Sequence, residues 1–325
     1  MKRLIIFLIC LSFTCMAFPA DSQQSVTPPQ PAIQGTITMS GAFALYPMAV
    51  KWAEEFRKIH PEVRLDIGAG GAGKGMTDAL MAAVDIGMVS RDIYPEELQR
   101  GAWYAAVTKD AVVPTLNANN PLIDSIVQQG ITKEKARKIW VTEEITTWND
   151  FLDEKPQTKQ TVPIRVFTRS DACGAAKTWA KYFGASQEDL IGVGVYADPG
   201  VANAVQKEPL GIGYNNINYA YDMNSGEPFP GLRVLPLDLN GNGTVDPDEQ
   251  FYEHRSTLLT AIGDGIYPSP PARDLYFVSQ GVPERPVVRE FIRRVLTDGQ
   301  QYVPESGYIR LPDSQLREQL EKLKQ

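Results

Sequence analysis

Apolar positions along the chain follow two spacings that take turns. Residues 35–39 alternate as a strand does. After a loop over 40–46, Pro47 opens a segment in which Met48, Ala49, Trp52, Ala53 and Phe56 recur at helical spacing. A proline in the first turn of a helix costs nothing, because its missing N–H would have no partner there. Residues 63–67 read as a strand, the glycines at 68, 70, 71, 73 and 75 as a loop, and 76–84 as a helix. A short strand at 86–89 leads into Ser90-Arg91. Strand, loop and helix in this rhythm predict an α/β domain with a largely parallel sheet.

The rhythm continues. Residues 111–116 read as a strand and 133–140 as a helix. A strand at 164–168 runs through the loop 169–173 into a helix at 174–183. Strands are expected at 210–214, 232–237 and 275–279, a helix at 286–296, and an amphipathic tail after Pro312. No internal repeat of 20–50 residues is visible.

The N-terminus has a different pattern. Met1-Lys2-Arg3 is basic, and residues 4–18 are apolar without a charge. That run suits the core of a signal peptide better than a membrane span. Cleavage is expected after Ala17 or Ala20, so residues 1–20 read as the signal peptide and 21–34 as a linker. A lipoprotein would be acylated at Cys15, but Ser12-Phe13-Thr14 makes a poor lipobox. The protein is therefore expected in the periplasm or secreted. No other segment reads as transmembrane.

Composition narrows the function. The 325 residues are 43% hydrophobic and 22% charged, which excludes a disordered or collagen-like chain. The net charge of −7 argues against nucleic acid as a partner. Of the cysteines at 10, 15 and 173, only Cys173 survives export, so no intrachain disulfide is expected. His60 and His254 are too far apart in sequence for a local metal motif.

Gly68-Ala69-Gly70-Gly71-Ala72-Gly73 fits G-x-G-x-x-G between a strand and a helix. The same stretch nearly fits a P-loop, but Gly75 stands where a Ser or Thr would hold Mg²⁺, and export removes the protein from cytoplasmic nucleotides. A tight structural turn is one remaining reading. An anion site is the other, since a glycine loop at a helix N-terminus presents backbone N–H groups and the positive end of the helix dipole. Residues 41–47, 68–75 and 169–174 are three such corners. Cys173 has two readings of its own. Beside Arg169 at a helix N-terminus it reads as a reactive thiolate with His254 as base; otherwise it is a small buried residue in place of serine.

Several segments then appear in a familiar order. They are Gly41-Ala42-Phe43-Ala44-Leu45-Tyr46-Pro47, the glycine loop, Asp85-Ile86-Gly87-Met88-Val89-Ser90-Arg91, Arg169-Ser170-Asp171-Ala172-Cys173-Gly174-Ala175 and Gly211-Ile212-Gly213-Tyr214. In these the chain resembles the periplasmic phosphate-binding proteins of ABC importers, within the type II solute-binding superfamily. The resemblance covers most of the mature chain. It implies an α/β fold of two lobes with the ligand cleft between them, lobe I at 35–108 plus 272–325 and lobe II at 109–271. It implies a monomer without catalytic activity that captures phosphate or a related small oxyanion and delivers it to an ABC permease at the inner membrane. The ligand-binding positions carried over are Gly41, Ala42, Phe43, Gly71, Ala72, Ser90, Arg91, Arg169, Asp171, Cys173, Gly174 and Ala175.

The match is uneven at those positions. Hydroxyls usual in the family fall on Ala42 and Ala44, on Gly70 and Ala72, and on Cys173-Gly174-Ala175. Each unmade hydrogen bond to a charged group costs about 1.5–3 kcal/mol, so backbone amides or arginines must substitute. The alternative is an extracytoplasmic sensor or scaffold of the same fold with an altered ligand site.

One further motif lies outside the resemblance. Residues 238–249 fit the calcium loop D-x-[DN]-x-[DN]-G-x₅-E at every position. Asp238, Asn240 and Asn242 supply side-chain oxygens, Thr244 its carbonyl, Asp246 an oxygen through water, and Glu249 a bidentate carboxylate. A structural Ca²⁺ is expected there, followed by a helix over 250–262.

Overall fold

One strand of sixteen residues, Ala102–Asn117, holds the architecture together. A computed structural model describes residues 33–154 and 160–324; the expected signal peptide and most of the expected linker lie outside the described residues. In chain order the strands are β1 (Gly35–Gly41), β2 (Val63–Ala69), β3 (Ile86–Val89), β4 (Ala102–Asn117), β5 (Arg165–Arg169), β6 (Val193–Val195), β7 (Gly211–Asn216), β8 (Leu232–Val234) and β9 (Ala272–Gln280). They lie side by side as β2-β1-β3-β9-β4-β7-β5-β6, with β8 also on β4.

The sheet, expected to be largely parallel, is parallel in four strand pairings and antiparallel in four. β1 pairs parallel with β2 and β3, and β5 with β6 and β7. β4 and β9 run antiparallel to their neighbours and to each other. These two strands therefore cross from one lobe to the other. The expected strand at 111–116 is the second half of β4. Its first half was hidden by the polar run Thr108-Lys109-Asp110. The structure satisfies each member of that run: Thr108 Oγ1 donates to the Ile309 carbonyl, Lys109 forms a bridge with Ile309, and Asp110 pairs with Arg273.

Each lobe has its own core. One is built on Trp52, Phe56, Phe277 and Phe291, and the other on Trp140, Trp148, Trp179 and Tyr214. Trp179 sits at the centre of the second, 5.3 Å from Trp140 edge-on and 6.1 Å from Tyr214 in a stack. At the crossing, Arg273 is buried with its Nε 3.0 Å from Asp110 Oδ1 and its Nη1 2.9 Å from Thr178 Oγ1, and its Nη2 donates to Asn216.

Two elements near the calcium motif are also corrected. The strand expected at 232–237 ends at Val234, because Pro236 has no N–H for a ladder. The helix expected over 250–262 is Arg255–Gly263, preceded by a 3₁₀ turn at Pro247–Glu249. Burial of Phe251 and Tyr252, whose hydroxyl accepts from Leu237 N–H at 3.1 Å, holds the intervening chain extended. Among the described residues no helix is long and apolar enough to cross a membrane.

Replacing Trp179, which is fully buried, by Ala is expected to cost about 3–5 kcal/mol, the loss of a large aromatic plus the cavity it leaves. Urea unfolding monitored by circular dichroism checks this; a midpoint equal to that of the wild type would show that this core does not depend on it.

Candidate functional site

The first two loops are tied together by backbone. β1 ends at Gly41, whose φ of +134° suits glycine, and a Cβ there would come within 2.2 Å of the Met88 carbonyl. Ala42 N–H donates to the same carbonyl at 2.9 Å, while the Gly41 carbonyl accepts from Gly70 and Gly71 at 2.8 and 3.0 Å. Gly71 then turns the chain into the helix Ala72–Leu80. In the other lobe β5 ends at Arg169, and Cys173 caps the helix Gly174–Tyr182, its sulfur accepting from Ala176 N–H at 3.4 Å.

These corners meet across the cleft. Gly73 N–H donates to the Ala172 carbonyl at 3.3 Å. Gly174 packs so closely on Ser90 that a Cβ would stand 2.1 Å from its carbonyl oxygen. Tyr219 donates its hydroxyl to the Phe43 carbonyl at 3.1 Å. Gly41, Ala42, Phe43, Gly71, Ser90, Arg169, Asp171, Cys173 and Gly174 are thus brought together, with Ala72 and Ala175 buried in the first turns of the two helices. Lys181 adds an ion pair to Asp92 at 2.5 Å. The larger hollows, about 880 Å³ beside Asp85 and Arg285 and about 710 Å³ beside Arg289 and Arg317, lie elsewhere.

Arg91 turns away from this meeting point. Its Nη2 stands 2.6 Å from Glu97 Oε1, its Nη1 donates to the Asp92 carbonyl at 2.7 Å, and Tyr94 lies against its face at 4.3 Å. Arg169 stays at the centre, with three of its five N–H donors committed. Nε and Nη2 contact the two Asp171 oxygens at 2.8 and 2.6 Å, and Nη1 contacts Asp198 Oδ2 at 2.5 Å. The Arg169 side chain is 1% exposed. Burial alone would lower its pKa; Asp198, then Cys173 and Asp171, hold it above the ordinary value. One guanidinium between two carboxylates leaves this cluster with a net negative charge.

Asp198 escaped the sequence reading. It opens the helix Asp198–Lys207 and is buried, its second oxygen accepting from Asn216 N–H at 3.0 Å. An Asp-Pro-Gly step at a helix start signals a cap, but nothing local signals a partner 29 residues earlier.

Cys173 is resolved in favour of its inert reading. Burial pushes the thiol up to about 12, against the pull of Arg169. His254 lies against Gly226, apart from the groups that act on Cys173. Among the described residues, the N–H groups of Phe43, Ala44 and Ala172 donate to no protein acceptor. They belong to the loops that meet there, and free backbone N–H groups can serve an oxyanion without a side chain.

In the loop 238–249, Asp238 accepts from Gly241 and Gly243 N–H at 2.6 and 2.9 Å, and Glu249 from Leu239 and Asp246 N–H at 2.8 and 3.1 Å. Asp246 accepts from the amides of Asn240 and Asn242, and Asn242 accepts from Thr244 N–H. Among the described residues no three His, Cys, Asp or Glu side chains stand together as a metal cage.

Comparison with known proteins gives one answer. The family model described as the PBP superfamily domain matches residues 26–298. A phosphate-binding protein PstS from Staphylococcus haemolyticus is 23% identical over 310 residues, covering 94% of this chain and 90% of its own length. A PstS from Methanocaldococcus jannaschii is 27% identical over 314 residues, covering 81% and 79%. In solved structures the fold recurs in a substrate-binding protein with bound phosphate from Clostridium perfringens (TM-score 0.68, 21% identity, 86% of this chain and 100% of that one). It recurs in an ABC-type phosphate transport receptor from Vibrio cholerae (TM-score 0.60, 18% identity, 85% and 100%). A two-lobed α/β fold joined by the crossing strands β4 and β9, matched over residues 26–298 by one family model, makes this chain a member of the PBP superfamily.

Proposed function

We propose that this protein is an extracytoplasmic solute-binding protein that captures phosphate or a related small oxyanion and delivers it to an ABC permease. The meeting of the loops that carry Phe43, Ala44 and Ala172, whose amides have no acceptor among the described residues, with the first turns of two helices and Arg169 supports the reading. Backbone N–H groups fixed by the fold replace hydroxyls that this sequence lacks, and the helix dipoles favour a negative charge. The two relatives bearing the PstS name align over most of their length, which supports the same ligand class. The reading includes no catalytic step. Closure of the lobes excludes water, and that strengthens each amide contact.

A second reading, a sensor or scaffold subunit of the same fold, is favoured by one observation: Arg91 and Arg169 are already paired with carboxylates. Titration calorimetry with phosphate and sulfate on the purified mature protein separates the two. The first reading expects saturable one-to-one binding, weakened about tenfold or more in Ser90→Ala, the loss of one hydrogen bond to a charged group. No heat with either anion favours the second.

Calcium is proposed as a structural ion of the loop 238–249, held by Asp238, Asn240, Asn242, Thr244, Asp246 and Glu249. Asp238 and Glu249 are 3% and 4% exposed and among the described residues accept from backbone amides alone; burial, and then these two carboxylates, raise the Tyr182 hydroxyl above its ordinary pKa. Buried negative charge without a basic partner favours a cation. At about one hundred times Kd, binding to the folded state alone adds about 2.7 kcal/mol, several degrees in melting temperature. Thermal melts in EDTA, calcium and magnesium are expected to show the rise with calcium foremost and its loss in Glu249→Gln; an unmoved wild-type melting point would refute the ion.

A further inference from the structure

The side chain that faces the Arg169 guanidinium is a phenyl ring. The Phe43 ring centroid lies 5.6 Å from Arg169 Cζ. Its edge meets the Tyr196 ring at 6.0 Å and 87°. Tyr196 is 60% exposed and Phe43 is half-buried, so the aromatic pair reaches from solvent to the guanidinium face. The pose of Phe43 is anchored at both ends, by the Tyr219 hydroxyl on its carbonyl and by the packing of Ala42 and Ala44, which are 1% and 3% exposed.

The consequence is geometric. Three of the five N–H donors of Arg169 are taken by Asp171 and Asp198, and one of its faces lies against Phe43. With the ring in place the Arg169 side chain is 1% exposed. The amides of Phe43 and Ala44 belong to the same turn, so a movement of the ring and the presentation of these donors are coupled. Aromatic cover on a guanidinium is itself favourable, and an anion must therefore compete with it.

We propose that Phe43 is a specificity-determining gate: a small oxyanion reaches Arg169 only after the ring leaves the guanidinium face, and that displacement weakens the binding of inorganic phosphate. The inference rests on the oxyanion reading above. It assigns to Phe43 a role opposite to that of a ligand-contacting side chain, since removing the ring improves binding.

The test is calorimetry and stopped-flow binding with inorganic phosphate and with sulfate on the full mature chain, comparing wild type, Phe43→Ser and Phe43→Leu. Phe43→Ser is expected to bind phosphate at least tenfold tighter and to associate faster. Phe43→Leu keeps apolar volume but loses the cation–π cover, and is expected to fall between. It carries the test if thermal melting shows that Phe43→Ser does not fold. If the wild type binds and both variants bind equally or more weakly, the gate is overturned while the oxyanion reading stands. If neither wild type nor variants bind phosphate or sulfate, both are overturned.

Discussion

A guanidinium buried at the floor of the cleft must be neutralised where it lies, and most of the geometry around it follows from that requirement. Arg169 ends β5 with a side chain shut off from water, and an ion removed from water is tolerated only with partners in place. Asp171 comes from the same loop and Asp198 from the start of a separate helix. Asp198 in turn holds the backbone of Asn216 at the end of β7, and Asn216 accepts from Arg273, which pairs with Asp110 on β4. A continuous chain of charged and amide groups thus joins the cleft floor to the two strands that cross between the lobes.

This arrangement changes what the cleft offers an anion. With Arg169 enclosed by two carboxylates and Arg91 tied to Glu97, the arginines bring little uncompensated positive charge. The burden shifts to the backbone, to N–H groups held by the turns at Phe43, Ala44 and Ala172 and to the first turns of two helices. Glycines make the close approach of these loops possible: at Gly41 and Gly174 a side chain would run into Met88 and Ser90. Replacing the family's hydroxyls by Ala and Cys is then compatible with a working site, provided the lobes can close.

Much of the fold was legible because its signals are local. Pro47 and the glycines around 71 mark helix starts, and the helix Pro286–Leu296 was visible in its apolar spacing alone. What the sequence hid was set by long-range contacts. β4 looked broken at Thr108-Lys109-Asp110 because its polar groups are satisfied by Ile309 and Arg273, far along the chain. The stretch after Glu249 looked helical because nothing nearby shows Phe251 and Tyr252 being drawn into the core. At the site, the loops that meet were readable from their glycines. That Arg169 is enclosed rather than available was not, since Asp198 and Phe43 approach it from other elements.

Arg169 and Asp198 form a buried pair on which the cleft floor depends. A double-mutant cycle in urea unfolding with Arg169→Met, Asp198→Asn and the double variant measures it directly. Arg169→Met is expected to lose about 3–5 kcal/mol, because it leaves buried carboxylates without their cation, and Asp198→Asn less, because Asp171 still holds the guanidinium. The double variant should lose less than the sum, with a coupling of about 2 kcal/mol or more. Losses that add to within about 0.5 kcal/mol would contradict the account.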